Sequence, residues 1–124
     1  MGIEIEKSSF FYYAIERQNL VEVEVVDRIV KRNGQVVPYD GAKIILAIEK
    51  SFLSVNESVD QTYLSDLLVQ IEAQFDGRQE VDVEEIQDTV EKILMKNEKY
   101  NVAKSYILYR EKRTQMRNDR LELV

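Results

Sequence analysis

The stretch from Arg28 to Ile44, RIVKRNGQVVPYDGAKI, leaves few options to the backbone that carries it. Asn33-Gly34 stands between two β-prone runs and is the pair best suited to a two-residue type I′ turn, because both residues tolerate positive φ. That pair predicts a hairpin. The return strand Gln35-Val36-Val37 ends at Pro38, which has no N–H to give to a sheet ladder. Asp40 can then accept from the free N–H groups of a helix's first turn, which puts Lys43 in that turn, close to the adjacent cations Lys31 and Arg32. Three positive side chains beside a helix N-terminus, where the backbone dipole also favours anions, form a candidate polyphosphate site. The competing reading is a solvated hairpin with ordinary surface cations.

Downstream of the hairpin the apolar spacing is helical throughout. Ile44, Ile48 and Phe52, with Ala47 beside them, share one face of a first helix that runs from Asp40 to about Leu53. Polar residues 54–60 interrupt the pattern, and Asp60 caps a second helix carrying Leu64, Leu67, Leu68, Ile71 and Phe75, which Asp76-Gly77 stops. Asp82 followed by Glu85 resembles a capping box ahead of Ile86, Val90, Ile93 and Leu94. After the break at residues 96–99, a final helix runs from about Asn101 toward Arg117, and its charged continuation predicts a helix that extends toward a neighbouring domain. Residues 1–25 are harder to place. SSFFYYAIE is amphipathic, VEVEVV alternates as a half-buried strand does, and the cluster Phe10, Phe11, Tyr12 and Tyr13 is expected to pack against the domain. The fold class expected is α+β, a small N-terminal β-hairpin or sheet acting as a lid over a four-helix bundle.

At 124 residues, 44% of them hydrophobic, the chain can bury one real core and needs no second domain. No apolar run is long enough to span a bilayer and no secretory leader is evident, so a soluble, cytoplasmic protein is expected. The chain has neither cysteine nor histidine. Thiolate and imidazole metal sites, Ser-His-Asp and Cys-His catalysis are therefore excluded, and no carboxylate pair stands out as an acid–base couple. The four glycines make neither G-x-x-x-x-G-K-[ST] nor G-x-G-x-x-G.

The net charge of −6 conceals a segregation: residues 28–50 carry +3 and residues 99–120 carry +5, while residues 51–98 carry −9. If the fold brings the two basic blocks together, they repel unless an anion or nearby carboxylates lie between them. The second block offers Arg110, Lys112 and Arg113, with Tyr106 and Tyr109 nearby to stack on a base, and Gln87 matters if the third helix lines the same pocket. Nucleic acid is not expected as a partner, because the acidic middle would repel a phosphate backbone.

Four segments together resemble one family. VKRNG at residues 30–34, PYDGAKI at 38–44, VEEIQDTVEKIL at 83–94 and VAKSYILYREKR at 102–113 follow the order of motifs in the ATP-cone, the allosteric nucleotide-binding domain at the N-terminus of many ribonucleotide reductases. The resemblance divides the chain into an extension over 1–25, a cone over 26–117 and a tail over 118–124. It implies an effector site for ATP or dATP, with Mg²⁺ held through the phosphates. Lys31, Arg32, Lys43, Lys112 and Arg113 would hold the triphosphate; Asp40, Gln87 and Tyr109 would lie near the nucleoside; and backbone groups of Ile29 and Val30 would serve the base. Val37 stands where many members have a glutamate. The resemblance further implies a regulatory domain and not an enzyme, with no catalytic residues and no protein-bound metal. Its partners would be nucleoside triphosphates and reductase subunits, with a nucleotide-dependent homo-oligomer among the assemblies, and its role would be control of deoxyribonucleotide synthesis through altered subunit assembly. The alternative is a helical protein–protein interaction module that binds no nucleotide.

Overall fold

In the computed structural model the backbone is described for residues 4–8, 11–16, 19–24 and 26–122, and the side chains for residues 26–120. The alternating segments near the N-terminus form an antiparallel meander of β1 (Glu4–Ser8), β2 (Phe11–Glu16) and β3 (Asn19–Glu24), in which Tyr13 pairs with Glu6 on one side and Glu22 on the other. The expected packing of the four-aromatic cluster lies outside the described residues.

A second sheet follows. β4 (Arg28–Val30) and β5 (Val36–Pro38) form the expected hairpin, with Ile29 opposite Val37. Its connection is not the two-residue turn expected from Asn33-Gly34. The Gly34 N–H donates to the Lys31 carbonyl at 2.9 Å, the Lys31 N–H donates to the Gln35 carbonyl at 2.8 Å, and only Gly34 has a positive φ, of 84°. This is a type I turn followed by a left-handed glycine, the three-residue hairpin connection. The Asn33 carboxamide oxygen accepts from the Gln35 N–H at 3.0 Å, so the asparagine works through its side chain and needs no left-handed backbone. On the other side of β4 lies β6 (Glu80–Asp82), which pairs in parallel and puts Asp82 opposite Val30.

Four helices complete the domain: α1 (Gly41–Ser54), α2 (Gln61–Ala73), α3 (Val83–Lys96) and α4 (Tyr100–Glu122). Asp40 caps α1 by accepting from the Ala42 N–H, and Asp60 caps α2 by accepting from the Tyr63 N–H. The capping box expected at Asp82 does not form. Asp82 ends β6 and makes no side-chain cap, while Glu85 is drawn to Arg78 at 2.6 Å. Helices α1 and α3 each pack on both α2 and α4, which closes a ring of four. The core inside it comes from all four: Ile48 and Phe52, Leu64, Leu67 and Ile71, Val90 and Leu94, Val102 and Ala103, with Val81 of β6 closing one end. Burying side chains of this size stabilises the fold by about 1.5–3 kcal/mol each relative to exposure. The architecture is the expected α+β fold, a small sheet against four helices.

Candidate functional site

The parallel pairing of β6 with β4 decides where the site falls. Both strands point toward the hairpin loop, and because β6 runs straight into α3, the first turn of that helix is delivered to the loop. A cavity of about 640 Å³ opens there, within the size range of small-molecule sites. The loop contributes Lys31, Arg32 and Asn33; α1 contributes Lys43 and Ala47; α3 contributes Val83 and Gln87. The last two pairs are spaced i, i+4, so each helix shows the cavity a single stripe. Helix α4 supplies the long wall with Tyr106, Tyr109, Arg110, Arg113 and Arg117.

The two basic blocks thus meet at one place, and their cations fall into two groups. The Arg110 guanidinium donates to Glu84 at 2.5 Å, to Asp88 at 2.8 Å and to Glu91 at 2.8 Å. Burial opposes its charge, but the three carboxylates outweigh that and raise its affinity for the proton further. Arg32 gives its Nε–H to the other oxygen of Glu84 and an Nη2–H to Gln87 Oε1 at 2.9 Å. Held first by Arg32 and then by Arg110, the Glu84 carboxyl is kept below the usual glutamate range. The second group is different: among the described residues, Lys31, Lys43, Arg113 and Arg117 have no carboxylate at ion-pair distance. Desolvation, together with the like charges of Arg32 and Arg113, makes Arg117 a weaker base than usual. The cavity therefore has uncompensated positive potential. Its apolar part comes from Ala47, Val83 and the rings of Tyr106 and Tyr109. Burial, reinforced by Glu91 and Asp88 against the opposing pull of Arg110, pushes the Tyr106 hydroxyl up to about 12, so it stays a neutral donor.

Of the residues singled out from sequence, Lys31, Arg32, Lys43, Gln87, Tyr109 and Arg113 line this cavity. Five do not: Ile29 and Val30 lie in β4, with Ile29 packed toward the core, Val37 is half-buried in β5, Asp40 is committed to the α1 cap, and Lys112 is exposed on α4 away from the cavity wall. Asn33 and Arg117 join the wall without having been singled out for it, and Arg110, offered with the second basic block, joins it too. The signal for the two arginines was the spacing Tyr106, Arg110, Arg113, Arg117, which keeps one helix face. Among the described residues there is no group of three or more Asp, Glu, His or Cys able to hold a metal ion, and no helix is long and apolar enough to cross a membrane.

The fold is thus an α+β domain, a small sheet against a ring of helices, with a polycationic cavity where the hairpin loop meets them. The family model for the ATP cone domain matches residues 27–115, and the chain belongs to that family, whose members are in general nucleotide-binding regulatory domains of ribonucleotide reductases. The chain is 42% identical over 103 residues to the vitamin B12-dependent ribonucleoside-diphosphate reductase of Thermoplasma acidophilum, a match covering 77% of this chain and 13% of that protein. It is 42% identical over 96 residues to the ribonucleoside-diphosphate reductase subunit alpha of Treponema pallidum, covering 72% and 11%. To the anaerobic ribonucleoside-triphosphate reductase of Escherichia coli it is 34% identical over 85 residues, covering 68% and 12%. The chain spans roughly an eighth or less of the length of these relatives.

Proposed function

We propose that this domain binds ATP and dATP as allosteric effectors in the cavity between the hairpin loop, α1, α3 and α4, and that it regulates a ribonucleotide reductase without itself catalysing a reaction. The observation that carries this reading is the convergence of cations from the two ends of the sequence on one wall-to-wall cavity, four of them with no carboxylate at ion-pair distance among the described residues. Like charges gathered at one cavity are stabilised by a polyanion, and a triphosphate is one. Lys31 and Arg32 on the loop, Lys43 on α1 and Arg113 on α4 hold the phosphates, joined by Arg117. Gln87 and Tyr109 lie toward the nucleoside, and Ala47, Val83 and Tyr106 give it an apolar slot. Mg²⁺ enters on the phosphate oxygens, since none of the described residues lining the cavity is a carboxylate.

A 2′-hydroxyl separates the two nucleotides, so the switch requires that they favour different arrangements of loop and helices. Helices α1 and α4, which both line the cavity, also carry the exposed apolar residues Leu46, Leu53, Leu108 and Met116, which suits coupling of the site to a subunit interface. Calorimetric titration of the folded domain with MgATP and MgdATP tests the reading. Saturable heat with each is expected, whereas no heat at millimolar ligand would leave the domain as a helical interaction module.

A further inference from the structure

Among the described residues, Glu84 is the only carboxylate that touches both the hairpin loop and α4. One of its oxygens accepts from Arg32 on the loop and the other from Arg110 on α4, while Gln87, one turn along α3, holds a second donor of Arg32. As the second residue of α3, Glu84 sits on a rigid element and its side chain is about half exposed. Arg110 keeps Asp88 and Glu91 if Glu84 leaves, but Arg32 has no other carboxylate among the described residues. The bond that fastens the loop to the helices is thus made with the same guanidinium donors that an incoming phosphate would use.

Resting on the reading of the cavity as a triphosphate site, we infer that Glu84 is a latch. In the ligand-free domain its carboxylate occupies Arg32 and holds the loop down onto α3 and α4. When a triphosphate enters, a phosphate oxygen replaces Glu84 on Arg32, and the loop changes its anchor from helix to ligand. Effector binding is thereby coupled to the seating of the loop, and the latch lowers the apparent affinity by acting as an internal competitor. The sign follows from charge. A carboxylate beside a polyanion repels it and also ties up a donor, so neutralising Glu84 strengthens binding although it loosens the empty domain.

The test compares wild type, Glu84→Gln and Glu85→Gln, the last removing the same charge from the same helical turn but from a residue that pairs with Arg78 outside the cavity. Two readouts are taken on each folded protein: amide hydrogen exchange at Lys31, Gly34 and Gln35 without ligand, and calorimetric affinity for inorganic tripolyphosphate and for ATP. Glu84→Gln is expected to speed loop exchange and to tighten binding of both probes about two- to fivefold, the scale of one exposed ion pair. Glu85→Gln is expected to change neither. Unchanged loop exchange in Glu84→Gln, equal acceleration in Glu85→Gln, or unchanged or weakened binding in Glu84→Gln would each overturn the latch. If wild type bound neither probe, the effector reading would fall instead, and loop exchange alone would still decide whether Glu84 fastens the loop.

Discussion

Glu84 and its two arginines show how a single residue can be read for its pH dependence. Arg32 first, then Arg110, hold the folded carboxyl below its unfolded value of about 4.3. A carboxyl depressed on folding contributes stability that is fully present above the unfolded value and is lost as pH falls through the lower, folded one. The stability difference between wild type and Glu84→Gln, measured by urea midpoints, should therefore hold steady from pH 7 down to about 5 and shrink toward zero below about 4. A difference that stayed constant to pH 3 would mean that the ion pairs contribute nothing. At the same scale, Lys31→Ala and Lys43→Ala should each weaken triphosphate binding by about 1–3 kcal/mol, the cost of a lost charge-assisted hydrogen bond, without lowering the thermal midpoint. Unchanged calorimetric affinity in both variants would put the phosphates elsewhere. The cavity cations Lys31, Arg32 and Lys43 were legible because turn and cap chemistry locates them to within a residue. Lys112 is not among the residues lining the cavity, whereas Arg113 is: one step along a helix rotates a side chain by about 100°.

Among the elements, the helices were legible and the strand β6 was not. Glu80–Asp82 alternates exposed, buried, exposed, but three residues are too short a run to signal a strand, and their partner β4 lies some fifty residues earlier, so only the tertiary pairing makes them one. The capping box is missing although Asp82 has the extended backbone of an N-cap: its side chain makes no cap bond, and Glu85 is engaged by Arg78. Helix ends follow a pattern that spacing alone signalled only as breaks. After α3, the Lys99 N–H donates to the Leu94 carbonyl and the Glu98 N–H to the Met95 carbonyl, both at 2.9 Å, with Glu98 at a φ of 61°. This is a Schellman closure with a glutamate where glycine is usual. After α1 the same pair of bonds forms around Asn56, at a φ of 59°, a residue that tolerates the left-handed region better. Glu98→Gly is therefore expected to stabilise the domain by about 0.5–1 kcal/mol, the left-handed strain relieved exceeding the entropy that glycine adds to the unfolded chain. Urea denaturation measures it, and a loss of stability would show that the Glu98 side chain contributes more than its backbone costs.

For the whole molecule, what matters is that residues 28–43 and 106–117 face each other across a cavity although the chain between them carries most of the negative charge. That acidic segment does not sit between the basic blocks as one layer of counter-charge. It spends Glu84, Asp88 and Glu91 on Arg110, Glu84 again on Arg32 and Glu85 on Arg78, and leaves Lys31, Lys43, Arg113 and Arg117 with no carboxylate at ion-pair distance among the described residues. Segment charges predicted the meeting, but not the division of labour, which depends on which oxygens a helix turn presents to which arginine. The most direct test of the account is a nitrogen-15 NMR titration of the domain with MgATP. Saturable shifts are predicted at Lys31–Gly34, Lys43, Val83–Gln87 and Tyr106–Arg117, with the α2 amides left nearly unmoved; saturation with shifts confined to other surfaces, or no shifts at millimolar nucleotide, would contradict it.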